Sequence, residues 1–96
     1  MQSTLFNEYI QMSETRNRIR LAVAAYAYEY ESDSIMSDAD FDELSYKIIP
    51  QLETGNPMLD TFFQEEFTPC TGQWVTKHPE KDKLKYIYHT IFKGRK

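Results

Sequence analysis

From Glu14 to Tyr30 the apolar residues Ile19, Val23, Tyr26 and Tyr30 recur at spacings of four, three and four, which puts them on one face of an α-helix. Ala22, Ala24, Ala25 and Ala27 raise helix propensity through the same stretch, because alanine has no side-chain freedom to lose. A shorter stripe, Leu5, Phe6, Tyr9 and Ile10, precedes it, either as a separate helix or as an extension of the same one. Glu31-Ser32-Asp33-Ser34 breaks the period with residues that favour turns and caps. Ser37-Asp38-Ala39-Asp40 then has the form of a capping box, with the Ser37 hydroxyl accepting from the Asp40 N–H and the Asp40 carboxylate reaching back. The helix it opens carries Phe41, Leu44 and Ile48 as its stripe and ends or bends at Pro50, since proline lacks a donor and clashes with the preceding turn.

Gly55-Asn56-Pro57 marks a turn, and Leu59, Phe62, Phe63 and Phe67 predict a short third helix. Thr68 to Thr76, with Pro69 and Gly72, reads as a loop whose Trp74 plugs the core. A last helix is expected to begin near Pro79, a residue favoured in a first turn, with Leu84, Ile87, Tyr88 and Ile91 as its buried stripe. The prediction is an all-α domain of about four helices.

Ninety-six residues make a single domain, 1–96, because cores divide only well beyond this size. The share of hydrophobic residues, 41% with 15% aromatic, is enough for a modest core. The single cysteine, Cys70, has no internal disulfide partner, and no C-x-x-C zinc pattern exists. The first residues lack the basic flank and apolar run of a secretion signal, and no stretch approaches the roughly 18 apolar residues of a membrane span. The expected setting is the cytoplasm, away from membranes.

The net charge of −4 is unevenly distributed: residues 21–66 hold one lysine against eleven acids, and residues 77–96 hold seven basic residues against two acids. The basic end, including Lys81, Lys83, Lys85, Lys93, Arg95 and Lys96, reads as the wet side of an amphipathic helix and its tail rather than a nucleic-acid surface, given the acidic whole.

Candidate chemistry gathers between Tyr28 and Leu44. With Ser37 as the cap, Asp38, Phe41 and Asp42 fall on one face of the next helix's first turns. Tyr28, near the end of the preceding helix, can close over that face. Two rings and two carboxylates around a cleft suit a flat polar ligand: rings stack on a heteroaromatic base, and carboxylates accept from hydroxyls or a carboxamide. The run Asp38-Ala39-Asp40-Phe41-Asp42 is not a calcium loop, because Glu43 and Ile49 stand where such a loop needs glycine and glutamate.

Tyr28-Glu29 followed by Ser37-Asp38-Ala39-Asp40-Phe41-Asp42-Glu43-Leu44, with Ile19-Arg20-Leu21 and Tyr26 upstream, resembles the N-terminal Ia domain of bacterial NAD-dependent DNA ligases. That pattern runs Tyr-His, nine or so residues, then Asp-Ala-Glu-Tyr-Asp-x-Leu. The resemblance covers residues 15–53 as a helical pair, with 54–96 as a helical extension ending in the basic helix. It implies that Tyr28 and Phe41 sandwich a nicotinamide ring, that Asp38 and Asp42 contact its polar groups, and that Glu29 stands where the family's histidine meets the phosphate of nicotinamide mononucleotide (NMN). A carboxylate there repels phosphate, so NMN or NAD binds weakly, or the pocket prefers an uncharged or cationic fragment such as nicotinamide or nicotinamide riboside. The ligases' Lys-x-Asp-Gly adenylation site is missing, so the expectation is a non-enzymatic accessory or regulatory module of a phage or bacterium. The alternative is an interaction factor acting on a host replication, repair or NAD-linked protein through Phe62, Phe63, Phe67 and Trp74. The oligomeric state is left open by the sequence.

Overall fold

One helix organises the molecule. In the computed structural model, which describes the backbone of residues 3–92 and the side chains of residues 7–92, helix α1 runs unbroken from Ser3 to Glu31 over 29 residues. At about 1.5 Å per residue it is roughly 43 Å long, and it sets the 46 Å long dimension of the fold. The early apolar stripe is therefore part of this helix and not a separate one; the side chains of Leu5 and Phe6 lie outside the described residues.

The expected face of α1 is only half right. Val23 and Tyr26 are buried, but Ile19 is 41% and Tyr30 48% exposed. Every residue from Leu21 to Ala27 is buried, because other elements pack around this segment on several sides. The alanines thus do more than favour helix formation. Their small side chains let neighbouring backbone come close. Helix α1 is followed by Ser32 in the left-handed region at φ 52°, and the Asp33 N–H reaches back to the Ala27 carbonyl at 3.0 Å, one residue wider than the closing bond of a Schellman motif.

Helix α2 spans Asp38–Lys47, and the forward half of its capping box forms: Ser37 Oγ accepts from the Asp40 N–H at 3.0 Å. It stops short of Pro50, whose ring disfavours helical geometry in the preceding residue. Helix α3, Pro57–Glu65, is capped by Asn56 Oδ1, which accepts from the Leu59 N–H at 3.2 Å. The predicted loop around Trp74 contains a 3-10 turn, Gln73–Lys77. Helix α4, Lys81–Ile87, passes into a π-helical turn at Tyr88–Phe92. The wider winding of that turn moves Ile91 out of the expected stripe, leaving it 49% exposed while Leu84 and Tyr88 are buried. The fold is all-α, with no strand among the described residues. The basic residues Lys93, Arg95 and Lys96 lie outside them.

Around α1 the core is aromatic. Phe62, Phe63, Phe67 and Trp74 meet at ring-centroid distances of 5.2 to 6.1 Å, the separations at which edge-to-face packing is favourable. Beside them lies a buried polar network that sequence reading missed. Arg18 donates to Glu14 at 2.6 Å, to Asp60 at 2.8 Å, and to the carbonyls of Ile49 and Leu52 at 3.0 Å each. Glu14 accepts from the Ile49 N–H, and Asp60 from both the N–H and the hydroxyl of Thr54. One guanidinium thereby pins the α2–α3 connection and α3 to α1.

His78 is buried, edge-on to Phe62 at 4.9 Å, with Nδ1 accepting from the Glu80 N–H at 2.9 Å. Burial, only partly countered by Glu80, lowers its pKa to about 4. Between the ordinary value of 6.5 and about 4, the unfolded chain binds a proton that the folded one refuses, so stability falls as pH drops through that window. Thermal melts at stepped pH are expected to show this loss, and His78→Phe to flatten it. An unchanged slope in that variant would place the sensitivity elsewhere.

Candidate ligand cleft

The C-terminal end of α1 and the N-terminal end of α2 diverge around the loop that joins them, and the space between them is a cleft of about 390 Å³. Small-molecule sites are usually roughly 300–1,000 Å³. All five residues singled out by the sequence line it: Tyr28, Glu29, Asp38, Phe41 and Asp42. Tyr28 is 64% exposed and is supplied by the last turns of α1. Phe41 is half-buried and packs against the core, so its ring is held while that of Tyr28 is free to adapt. Asp38 stands in the first turn of α2, where the positive end of the helix dipole favours it, and Asp42 lies four residues further along the same face.

The connecting loop contributes Ser34, Ile35 and Met36. It is tied to the C-terminal segment: the Tyr88 hydroxyl donates to Asp33 Oδ2 at 2.6 Å, and Glu31 lies 3.2 Å from both the Tyr26 hydroxyl and His89 Nε2. The Asp33 carboxylate, with burial, pushes Tyr88 up to about 12, so this link persists through the ordinary alkaline range of a tyrosine.

A further wall, Cys70, Thr71, Gly72 and Gln73, was not anticipated. The loop passes so close to α1 that a Cβ on Gly72 would sit 3.2 Å from Ala25 Cβ and 3.7 Å from the tip of the Phe41 ring. Glycine opposite alanine is what permits the approach. The Trp74 indole N–H, donating to the Thr71 carbonyl, anchors this wall to the core. Cys70 is exposed with φ 68°, a conformation that costs a residue with a side chain about 1 kcal/mol or more. The pairing of Pro69 with Gly72 marked a loop, but its path could not be read from periodicity.

Among the described residues, Glu29, Asp38 and Asp42 give the lining three carboxylates, with no lysine, arginine or histidine beside them. These described residues supply aromatic rings, acceptors and a few neutral donors, and no cation to hold phosphate. The nicotinamide and ribose portions of the expected ligands suit these residues; their phosphates do not. Among the described residues no group of three or more His, Cys, Asp or Glu is arranged to hold a metal ion, and no helix is long and apolar enough to cross a membrane.

The residues expected to face a protein partner are elsewhere. Phe62, Phe63 and Trp74 are at most 6% exposed, and Phe67 is half-buried against them. They form the core, because they pack on one another and on α1, and cannot present a contact surface. No protein-family model, curated protein or solved structure matches the chain.

Proposed function

We propose that this chain is a small non-catalytic module whose cleft binds a nicotinamide-type ligand, in a regulatory or accessory role. The observation supporting this most directly is the convergence of Tyr28, Phe41, Glu29, Asp38 and Asp42 on one cavity. In this reading Tyr28 and Phe41 take the two faces of the ring. Asp38 and Asp42 accept from its carboxamide and from ribose hydroxyls. The likeness of residues 15–53 to the Ia domain of bacterial NAD-dependent DNA ligases points to the same ligand class, and a phage or bacterial accessory protein of the cytoplasm is the setting it implies.

Calorimetric titration with nicotinamide riboside, NMN and NAD tests the proposal. Saturable binding of at least one is expected, weakened several-fold to about tenfold by Tyr28→Ala, since an aromatic contact is worth ~0.5–1.5 kcal/mol beyond its area. Tyr28 is mostly exposed, so its removal leaves the fold intact. No heat from any ligand at millimolar concentration would remove the proposal.

A second reading, a factor that engages a host replication, repair or NAD-linked protein, is favoured by one feature. Tyr9, Met12 and Ile19 are 67%, 64% and 41% exposed on α1, and the latter two border a shallow groove. A pull-down partner lost with Met12→Glu and kept with Asp38→Ala/Asp42→Ala would support it over the cleft.

A further inference from the structure

Among the described residues, every ionisable side chain that is charged at neutral pH and lines the cleft is an acid: Glu29, Asp38 and Asp42. Tyr28 and Phe41, also in the lining, carry aromatic quadrupoles whose faces are negative. The last turn of α1 has no basic residue, so no side chain of that turn offsets the negative end of its dipole beside Glu29. An acid at that end is not explained by helix stability. Among the described residues the feature of opposite sign is the N-terminus of α2, where Ser37 Oγ already takes the Asp40 N–H and the first turn carries Asp38 and Asp40.

Resting on the nicotinamide-type reading above, we propose that the cleft selects planar aromatic cations, N-alkylated heterocycles of the pyridinium kind, and rejects the phosphate esters of the same ring. A quaternised ring between two aromatic faces gains a cation–π attraction that its neutral form lacks. The surrounding carboxylates act on it with the same sign. A phosphate attached to the ligand meets those carboxylates with no charged donor among the described lining residues to offset them. The NMN-type ligand is thus the poorer one, and the dephosphorylated or N-methylated ring the better.

Titration of the intact chain at low salt with 1-methylnicotinamide, neutral nicotinamide, nicotinamide mononucleotide and tetramethylammonium decides this. The methylated ring is expected to bind at least tenfold more tightly than the other three. Glu29→Lys, at an exposed position, is expected to weaken the methylated ring about tenfold or more and to strengthen the mononucleotide. If the mononucleotide binds as well as the cation, the charge selectivity is wrong while the nicotinamide-type site stands. If tetramethylammonium matches the methylated ring, the requirement for a planar ring is wrong. Binding by none of the four overturns both the selectivity and the site.

Discussion

Arg18→Met is expected to lower the stability of the protein by about 3–5 kcal/mol, the cost of removing one partner from a buried charged network. A small domain has only ~5–15 kcal/mol to lose. The penalty arises less from the contacts deleted than from what they leave behind. The Glu14 and Asp60 side chains are 1% and 9% exposed, and each would keep a carboxylate out of water without its cation. The carbonyls of Ile49 and Leu52 lose their donor too. In thermal denaturation the midpoint should fall by roughly 12 °C or more, since ~1 kcal/mol shifts a domain of this size by about 4–8 °C. Replacing Glu14, Arg18 and Asp60 together by apolar residues of similar volume should cost less than Arg18→Met alone, because no unpaired charge remains. A loss under about 1 kcal/mol in the single variant would show that the network is solvated. The same network carries an acid dependence. Burial alone would raise the Asp60 carboxyl, but the hydroxyl and N–H of Thr54 and the Arg18 guanidinium together hold it below its ordinary 3.8. Its contribution is complete above that value and is lost as pH falls further.

Phe63→Ala should cost a similar amount, about 3–5 kcal/mol, by leaving a cavity that its neighbours cannot fill. Phe63 is 1% exposed and meets Phe62, Phe67 and Trp74. The Arg18 guanidinium lies over its ring at 4.9 Å. Because the two side chains touch, their losses should not add: the double variant with Arg18→Met is expected to be more stable than the sum of the single losses implies. Chemical denaturation of the four proteins measures this, and strict additivity would mean that ring and guanidinium act independently. Through Trp74, the same cluster backs the Cys70–Gln73 wall, so if the proposed site binds a nicotinamide-type ligand, a chain that survives Phe63→Ala should bind it more weakly.

Most of the cleft was legible because it is local. A cap at Ser37 fixes the phase of α2, which puts Asp38, Phe41 and Asp42 on one face, and the short break after Glu31 leaves Tyr28 nearby. What escaped sequence reading depends on partners far along the chain. Glu14 and Arg18 have the spacing of an ordinary surface pair, and their burial follows from Asp60, 42 residues beyond Arg18. Nothing in the loop around Gly72 announces that it will lie on Ala25 until α1 is known to be enclosed there. Trp74 was legible as a core residue, but Phe62 and Phe63 were legible as apolar and not as both inward-facing, since they are adjacent and both enter the core. Ile91 failed for a different reason: a stripe extrapolated at the α-helical period loses register when the helix widens into a π turn.

In the proposed complex the ligand's aromatic ring lies between Tyr28 and Phe41, and nuclear magnetic resonance observes that position directly. The ring protons of 1-methylnicotinamide should move upfield on binding, under the ring currents of two aromatic faces, and should show Overhauser contacts to both side chains. The same contacts should vanish in Tyr28→Ala. Ligand protons that contact other residues, or that keep their free shifts in the presence of excess protein, would contradict the assignment.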